Sequence, residues 1–363
     1  MIQADPVRVL VVGDSYMPAS VFTGAFGGLG GAVTVTELQI DGHAAAPPRT
    51  ASDRVLREYA GDPADVAAAV AGHEVLIVHG APVTAEVLDA APLRLVSCAR
   101  GGPVNVDVAA ATARGIPVTS APGRNAEAVA ELTLAFALML IRGVSAASRY
   151  LLTGGRHADS VYEGTEFIGC EAASTTLGLA GLGHVGRDVA IRGQALGFSV
   201  LGYDPVPPGN IPPGVTMVAF DELLSRSGVV SVHARATPDN RHMFGAAAFA
   251  RMPRGAFFIN TARESLVDED ALARALASGA LAGAALDVAE RRPAGDRHPL
   301  LDLPNVIITP HIGGATSETL RRGAEMTAAA VARLLGGEIP DHLVNPEVLG
   351  RNPEILARKE AVS

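Results

Sequence analysis

Residues 175–186, TTLGLAGLGHVG, decide the fold of this 363-residue chain. An apolar strand pattern runs directly into Gly181-Leu182-Gly183-His184-Val185-Gly186, a GxGxxG motif that opens a helix containing alanine and leucine. The three glycines allow a tight turn, close approach of the backbone to a pyrophosphate, and close packing of helix on strand. The phosphates then lie at the helix N-terminus. This context predicts a dinucleotide-binding β-α-β unit, with a purely structural turn as the alternative.

The strand that follows the motif indicates which dinucleotide is bound. This strand, SVLGYD, ends in Asp204, 18 residues after Gly186. A carboxylate at this position accepts hydrogen bonds from both ribose hydroxyls and repels a 2′-phosphate. The spacing therefore favours NAD over NADP.

Apolar β-branched runs alternate with helical stretches on both sides of the motif, which is typical of doubly wound α/β sheets. Between residues 175 and 310 the predicted strands are TTLGLAG, FSVLGYD, VVSVHA, AFFINTA, GAALDV and NVIITP. Before residue 123 they are VRVLVVG, AVTVTEL, EVLIVHG, LRLVSCA and IPVTSAP. The turn signal Pro122-Gly123 ends the first series, and a long helix is predicted over residues 125–142.

The segment after Pro310 holds about one helix, residues 316–335, which is too little apolar material to fold alone. We therefore expect a discontinuous substrate domain of residues 1–122 and 312–363. An NAD-binding domain of residues 123–311 is expected to be inserted into it. Both domains are expected to be Rossmann-like, with ligands bound in the cleft between them.

Composition argues against several other classes of protein. Hydrophobic residues at 48% and charged residues at 18% predict a globular core, and a net charge of −9 argues against nucleic acid and anionic membrane partners. The longest apolar run, residues 132–141, is shorter than the roughly 20 residues of a bilayer span. No membrane partner and a cytoplasmic location are therefore expected. Cys98 and Cys170 are too few for a disulfide scaffold or a structural zinc site, so no metal is expected.

Polar residues follow three of the later predicted strands, where a buried sheet does not need them. They are Asn260-Thr261-Ala262-Arg263-Glu264, Asp287, and Thr309-Pro310-His311-Ile312-Gly313-Gly314. Because ligands bind at the carboxyl ends of strands in open α/β sheets, Arg263 and His311 are expected near the nicotinamide. A guanidinium suits a carboxylate and its neighbouring carbonyl, and a histidine suits proton transfer near neutral pH. For each residue considered alone, the alternatives are a surface ion pair for Arg263 and a turn residue for His311.

With these residues the sequence resembles the D-isomer-specific 2-hydroxyacid dehydrogenase family over roughly residues 75–345. The most specific runs are INTARESLVDEDALARALASGALAGAALDV and HPLLDLPNVIITPHIGGAT. The resemblance implies NAD-dependent interconversion of a small 2-hydroxy acid and its 2-oxo acid. It implies that Arg263 holds the substrate and that His311 donates a proton to the carbonyl oxygen during reduction. It also implies a homodimer with contacts from the cofactor domain, including the helix over residues 125–142.

The resemblance extends to the residues around both ligands. The expected cofactor contacts are Gly181, Gly183, His184, Val185, Gly186, Asp204, Ala234, Arg235, Thr237, Thr261, Ala262, Asp287, Gly313 and Gly314. The loop Arg100-Gly101-Gly102-Pro103-Val104-Asn105-Val106-Asp107 resembles the family's substrate-carboxylate loop, whose N–H groups surround the anion. His79 ends a neighbouring strand and either faces the same ligand or caps that strand.

The chain departs from the family at a catalytic position. Most members place a Glu before a Pro five residues after the strand-ending acid, and this Glu pairs with the histidine. Here Arg292 precedes Pro293, and a guanidinium disfavours the protonated imidazole that a carboxylate favours. Three interpretations remain open. In the first, Glu290 or Asp296 restores the pair. In the second, Arg292 acts as a second anion clamp and His311 is unpaired; the formate-oxidising branch of the family tolerates a neutral Gln at this position. In the third, the chain is an NAD(H) sensor or scaffold with little turnover, like the transcriptional corepressors of this superfamily.

Two smaller departures concern the cofactor and the substrate. Arg235 stands where the family commonly has Pro, and it contacts either NAD or solvent. The phosphate-binding Arg of the phosphoglycerate branch falls near Gly80, which has no side chain. This argues against 3-phosphoglycerate as the substrate.

Overall fold

The computed structural model describes residues 5–40, 45–155, 164–290 and 298–351. The chain divides into unit 1, residues 1–124 and 315–363, and unit 2, residues 125–314. These crossing points lie within a few residues of those expected from the sequence. Among the described residues, no single helix is long and apolar enough to cross a membrane; the helices over 126–141 and 144–152 meet the length only as a pair, bent by 67°.

The secondary structure alternates between strands and helices along the described chain. The strands are β1 (Val7–Gly13), β2 (Val33–Gln39), β3 (Val75–Val78), β4 (Leu95–Cys98), β5 (Val118–Thr119), β6 (Thr176–Ala180), β7 (Ser199–Tyr203), β8 (Thr216–Met217), β9 (Val229–Val232), β10 (Ala256–Asn260), β11 (Leu281–Leu286) and β12 (Val306–Ile308). The helices are α1 (Ala19–Ala25), α2 (Ala51–Val55), α3 (Pro63–Val70), α4 (Ala85–Asp89), α5 (Val108–Ala113), α6 (Ala126–Ile141), α7 (Val144–Leu152), α8 (His184–Ala195), α9 (Phe220–Arg226), α10 (Ala246–Arg251), α11 (Glu269–Ala277), α12 (Ser317–Leu335) and α13 (Val348–Arg351).

Unit 1 contains a parallel five-stranded sheet in the order β2-β1-β3-β4-β5. Side chains of β1 alternate between two cores: Leu10 and Val12 face the cluster that includes α3, α4 and α5 residues, and Val9 and Val11 face the cluster that includes α1 and α12 residues. Strands covered on both faces need continuous apolar runs, which explains the sequence pattern. The order places the topological switch point between β1 and β3.

The returning helix α12 completes the core of unit 1. The Thr316 hydroxyl caps it by accepting the N–H of Thr319 at 3.1 Å. Residues Ala324, Val331 and Leu334 are buried against the β1–β3–β4 face. The returning helix therefore packs on the strands of unit 1.

Unit 2 contains a parallel seven-stranded sheet in the order β12-β11-β10-β9-β6-β7-β8. Helices α6 and α8 cover one face, and α9, α10 and α11 cover the other. This is the doubly wound order of a dinucleotide-binding domain, with the switch point between β6 and β9. The sequence missed β8, because a two-residue edge strand leaves no periodic signal.

Helix α6 is covered by its own unit, which changes the expectation for the dimer. Its apolar residues, including Leu134 and Leu140, pack with α8 and the sheet. The next helix, α7, has no buried residue. Leu151 and Leu152 are exposed, as is Ile168. Of these two helices, α7 therefore carries the exposed large apolar side chains, and the sequence analysis did not single it out.

Candidate active site

The three glycines between β6 and α8 differ in what the fold demands of them. Gly181 has a φ of +102°, and a Cβ there would lie 2.6 Å from the Ala234 nitrogen. A Cβ on Gly186 would lie 2.0 Å from the Gly181 carbonyl oxygen. Gly183 has a φ of −65°, and a Cβ on it would meet nothing within 4 Å. The fold therefore requires glycine at 181 and 186 but not at 183, where the bare backbone leaves room for a ligand.

The N-terminus of α8 opens beside Gly183. Among the residues that the structure describes, no side chain caps this helix, so the first-turn N–H groups, including those of His184 and Val185, have no capping acceptor there. A helix N-terminus attracts negative charge. Asp204 follows β7 and accepts the N–H of Leu182 at 2.9 Å, which holds its carboxylate beside the same turn. These residues fit a dinucleotide, with the pyrophosphate over Gly183 and a ribose at Asp204.

The loop after β9 packs under the glycine turn. Ser231 Oγ lies 2.9 Å from His233 Nε2, while His233 Nδ1 is buried and has no partner among the described residues. Burial lowers the pKa of His233 to about 3. Arg235 is exposed, and the Thr237 hydroxyl caps a short 3-10 helix. Ala234, a predicted cofactor contact in this loop, lies against Gly181 of the glycine turn.

Arg263 lies in a turn after β10 that its neighbours hold rigidly. The Asn260 side chain accepts the Ala262 N–H at 3.0 Å and donates to the Arg263 carbonyl at 2.9 Å. Thr261 is buried and its hydroxyl lies 3.0 Å from that of Thr133 on α6. Arg263 is half-buried, and its Nη1 donates to the Ala262 carbonyl at 2.8 Å, so the guanidinium lies beside this turn after β10.

Asp287 organises the loop that carries His311. Its Oδ1 accepts the Thr309 hydroxyl at 2.6 Å and the Ile312 N–H at 2.8 Å, and its Oδ2 accepts the Gly313 N–H at 2.7 Å. His311 is exposed and has a φ of +58°, a conformation that costs a non-glycine residue roughly 1–3 kcal/mol. A buried carboxylate with three internal donors therefore holds the histidine in a strained position.

In the described parts of the chain, no carboxylate forms an ion pair with the His311 ring. Glu290 Oε1 lies 4.0 Å from Arg241 Nη2, and the Glu290 N–H donates to Glu269 at 2.9 Å. Glu290 therefore does not restore the missing pair in this structure. Arg292 and Asp296, the other residues considered for this position, lie outside the described residues.

The glycine-rich loop after β4 in unit 1 offers an anion fewer N–H donors than the resemblance implies. The Arg100 N–H is directed at the Cys98 thiol, and the Arg100 side chain pairs with Glu58. Among the described residues, the N–H groups of Gly101 and Gly102 have no main-chain acceptor. A Cβ on Gly102 would meet nothing within 4 Å. The available donors are therefore those of the two glycines.

Asp14, His79 and Arg124 form a buried chain of side chains in unit 1. His79 Nδ1 lies 2.7 Å from Asp14 Oδ2, and Arg124 Nη2 lies 3.2 Å from His79 Nε2. Tyr16 stacks on His79 with ring centroids 5.2 Å apart. The sequence analysis singled out His79 alone. Asp14 follows β1 directly, so the rule that found polar residues after later strands could have found it; Arg124 gives no such signal.

Known proteins are similar to this chain over most of its length. Residues 134–313 match the NAD binding domain of D-isomer specific 2-hydroxyacid dehydrogenases. A glyoxylate reductase of Korarchaeum cryptofilum (strain OPF8) is 39% identical over 275 residues, 75% of this chain and 82% of that protein. A D-3-phosphoglycerate dehydrogenase of Methanocaldococcus jannaschii is 38% identical over 277 residues. The chain spans about half of that dehydrogenase, 52% of its length.

Solved structures are similar in fold. The TT0316 protein from Thermus thermophilus gives a TM-score of 0.75 at 34% identity, covering 93% of this chain and 100% of that one. A D-lactate dehydrogenase from Aquifex aeolicus, complexed with NAD and lactic acid, gives 0.71 at 27% identity, covering 93% and 99%. Both domains of the chain thus have counterparts of known structure.

Proposed function

The chain belongs to the D-isomer-specific 2-hydroxyacid dehydrogenase family, whose members are NAD-dependent oxidoreductases acting on CH–OH donors, and on that premise we propose that Arg263 binds its substrate and His311 is its acid and base. The observation that carries the proposal is the placement of both side chains at the carboxyl edge of the unit 2 sheet. They follow β10 and β12, which are separated by β11 alone.

That spacing suits one small 2-oxo acid. Neighbouring strands lie about 4.8 Å apart, so the two strand ends are roughly 10 Å apart. Two long side chains can converge on one carbonyl across this distance. The Arg263 guanidinium would bind the carboxylate and polarise the carbonyl. The His311 ring would donate a proton to the carbonyl oxygen in reduction and remove it in oxidation.

Supporting residues hold these groups in place. Asp287 fixes the His311 loop by accepting the N–H groups of Ile312 and Gly313, and Asn260 fixes the Arg263 turn. Pre-organised polar groups lower a barrier because they need not reorient during the reaction. The exposed His311 can exchange its proton with solvent.

The dinucleotide would lie over Gly183 and the N-terminus of α8, with its ribose hydroxyls on Asp204. When bound, its nicotinamide ring accepts or gives the hydride. The Asp204 carboxylate repels a 2′-phosphate, which supports NAD rather than NADP. In unit 1, the N–H groups of Gly101 and Gly102 would donate hydrogen bonds to the carboxylate of an acid.

Oxidation of NADH, followed at 340 nm with a panel of 2-oxo acids, tests the proposal. The panel includes glyoxylate, hydroxypyruvate, pyruvate and longer acids, with NADPH in parallel. We expect turnover with NADH for at least one acid. Because the proton donor or the substrate clamp is then lost, His311→Ala and Arg263→Ala should each lower kcat/KM by at least 100-fold. Equal activity in the wild type and both variants would contradict the assigned roles.

A second candidate function is an NAD(H) sensor or scaffold with little turnover. It is favoured by the lack of a carboxylate partner for His311 in the described residues. The same panel separates the two functions. Absence of turnover in both directions, with NADH binding intact by fluorescence, would support the sensor.

We also infer that the chain forms a homodimer through α7. In unit 2 this helix exposes Leu151 and Leu152, the latter at 84%, and Ile168 beyond it is equally exposed. Soluble monomers rarely leave neighbouring large apolar side chains in water. A second copy would cover this surface.

A further inference from the structure

Arg124 is a buried cation that lacks a direct counterion. It is 8% exposed, and among the described residues no carboxylate lies within salt-bridge distance of its guanidinium. Its two hydrogen bonds go to His79 Nε2 and, at 3.4 Å, to the Thr319 carbonyl. Burial lowers the pKa of Arg124, as expected for a cation removed from water. Buried charges in proteins are usually paired.

The geometry shows why Asp14 does not serve as that counterion. A guanidinium only donates, so His79 Nε2 must accept from Arg124 and carry no proton. The proton of the neutral ring is then on Nδ1, which donates to Asp14. Asp14 also accepts the N–H groups of Met17 and Gly80. The carboxylate is therefore fully engaged, with an imidazole between it and Arg124.

Arg124 retains donors that no group in the described chain accepts from. A guanidinium has five N–H groups, and the two bonds above use one on Nη1 and one on Nη2. Nε forms neither bond, and it is not among the buried side-chain atoms without a partner, of which the described residues contain one, His233 Nδ1. The Nε–H group therefore reaches the surface and can donate to a ligand.

Its location is where a parallel sheet binds ligands. Arg124 contacts His79, the residue after β3, and His79 contacts Asp14, the residue after β1. These two strands flank the switch point of the unit 1 sheet, where ligands bind at the carboxyl ends. The free N–H groups of Gly101 and Gly102 follow the next strand, β4.

We propose that Arg124 binds a second anionic group of the substrate, so that the preferred 2-oxo acid carries another carboxylate or a phosphate at its far end. The proposal rests on the proposed dehydrogenase function, and within unit 1 the N–H groups of Gly101 and Gly102 hold the first carboxylate. Arg124 then supplies the cation that is absent at Gly80. A side chain at Gly80 would be blocked, because its Cβ would lie 2.7 Å from Asp14 Oδ2.

Matched pairs of substrates test the proposal in the full-length protein with NADH. The pairs are 2-oxoglutarate with 2-oxopentanoate, oxaloacetate with 2-oxobutyrate, and 3-phosphohydroxypyruvate with hydroxypyruvate. We expect kcat/KM to be at least tenfold higher for the dianion in the carboxylate pairs or in the phosphate pair. Which pair shows the preference identifies the second group. No preference for a dianion in any pair would overturn the proposal.

Variants show whether Arg124 is the cause of the preference. Arg124→Gln should lower the dianion-to-monoanion ratio at least tenfold, and Arg124→Lys should retain part of it because the charge remains. Arg321→Gln removes an exposed arginine on α12 and should leave the ratio unchanged. A loss that is equal for both members of every pair, in Gln and Lys variants that melt like the wild type, would show that Arg124 is only structural.

A binding measurement separates failure of this proposal from failure of the dehydrogenase function. If no 2-oxo acid is turned over, calorimetry compares 2-hydroxyglutarate with 2-hydroxypentanoate. Tighter binding of the dianion that is lost in Arg124→Gln would keep the anion site while rejecting the reaction. Equal binding within this pair, and also within the pair 3-phosphoglycerate and glycerate, would overturn the anion site.

Discussion

Gly183 differs from the other two glycines of the motif in what the fold demands of it. The sequence predicts all three from one pattern, but only the structure separates them. Gly181 and Gly186 are required by the turn and by helix packing, whereas a Cβ on Gly183 would point into open space. The motif therefore combines two positions where folding requires glycine with one where it does not, and we expect that third position to serve binding.

This difference predicts opposite results for two alanine variants. Gly183→Ala should fold with a melting temperature within about 2 °C of the wild type, because nothing lies within 4 Å of the new Cβ. Its Kd for NADH should rise at least tenfold, because the methyl group occupies the approach of the pyrophosphate. Gly186→Ala should instead unfold or melt far lower, since its Cβ would lie 2.0 Å from a carbonyl oxygen. Thermal melting and fluorescence titration measure both effects. Unchanged NADH affinity in Gly183→Ala would place the pyrophosphate elsewhere.

Single residues also mark the limit of sequence reasoning about the site. Arg263 and His311 each follow a predicted strand, so the strand-end rule places them at one sheet edge. Arg124 meets His79 across 45 positions in the chain, and no local pattern encodes such a contact. The resemblance to the family could not indicate this pair, because Arg124 lies outside the motifs that carry the resemblance.

At the scale of elements, the strands were predictable where both faces are buried. Continuous apolar runs such as those of β3, β6 and β9 have few alternatives in an α/β chain. The edge strand β8 is too short for any period, and the exposed α7 has an apolar content that resembles a continuation of α6. The strand order of each sheet was predictable only as doubly wound, from the handedness of the crossovers and the switch point of such folds.

The end of β9 makes the stability of unit 2 depend on pH. Burial lowers the pKa of His233 to about 3, compared with about 6.5 in an unfolded chain. The unfolded state therefore takes up a proton first as the pH falls below 6.5, and the folded state is destabilised. The free energy of unfolding should fall by up to about 1.4 kcal/mol per pH unit between pH 6 and pH 4.5. The buried His79 of unit 1, whose pKa is also lowered, acts in the same direction.

Urea unfolding between pH 7 and pH 4.5 measures this dependence. His233→Phe keeps a ring of similar size but cannot be protonated, so its unfolding midpoint should fall less steeply over this range. The carboxylates with lowered pKa, Asp14 and Asp53, act mainly below their ordinary value of 3.8 and do not confuse the comparison. Identical slopes for the wild type and the variant would show that His233 titrates normally.

At the scale of the whole molecule, the uncovered surface of α7 predicts the assembly. Sedimentation velocity should give twice the chain mass for the wild type. Leu151→Glu with Leu152→Glu should give the monomer, because two charges would be buried in the interface. Ile191→Glu, at an exposed apolar residue of α8, should remain dimeric. A monomeric wild type, or a double variant that still sediments as a dimer, would place the interface elsewhere.

The insertion of unit 2 within unit 1 has a consequence during synthesis. Residues 125–314 hold every strand of the seven-stranded sheet, so this sheet can form as soon as they leave the ribosome. One face of the other sheet is covered by Ala324, Val331 and Leu334 of α12, which are translated after unit 2. The unit 1 strands that precede unit 2 therefore keep this apolar face uncovered until α12 is made. Nascent chains stalled before α12 should consequently be the form that chaperones bind most tightly.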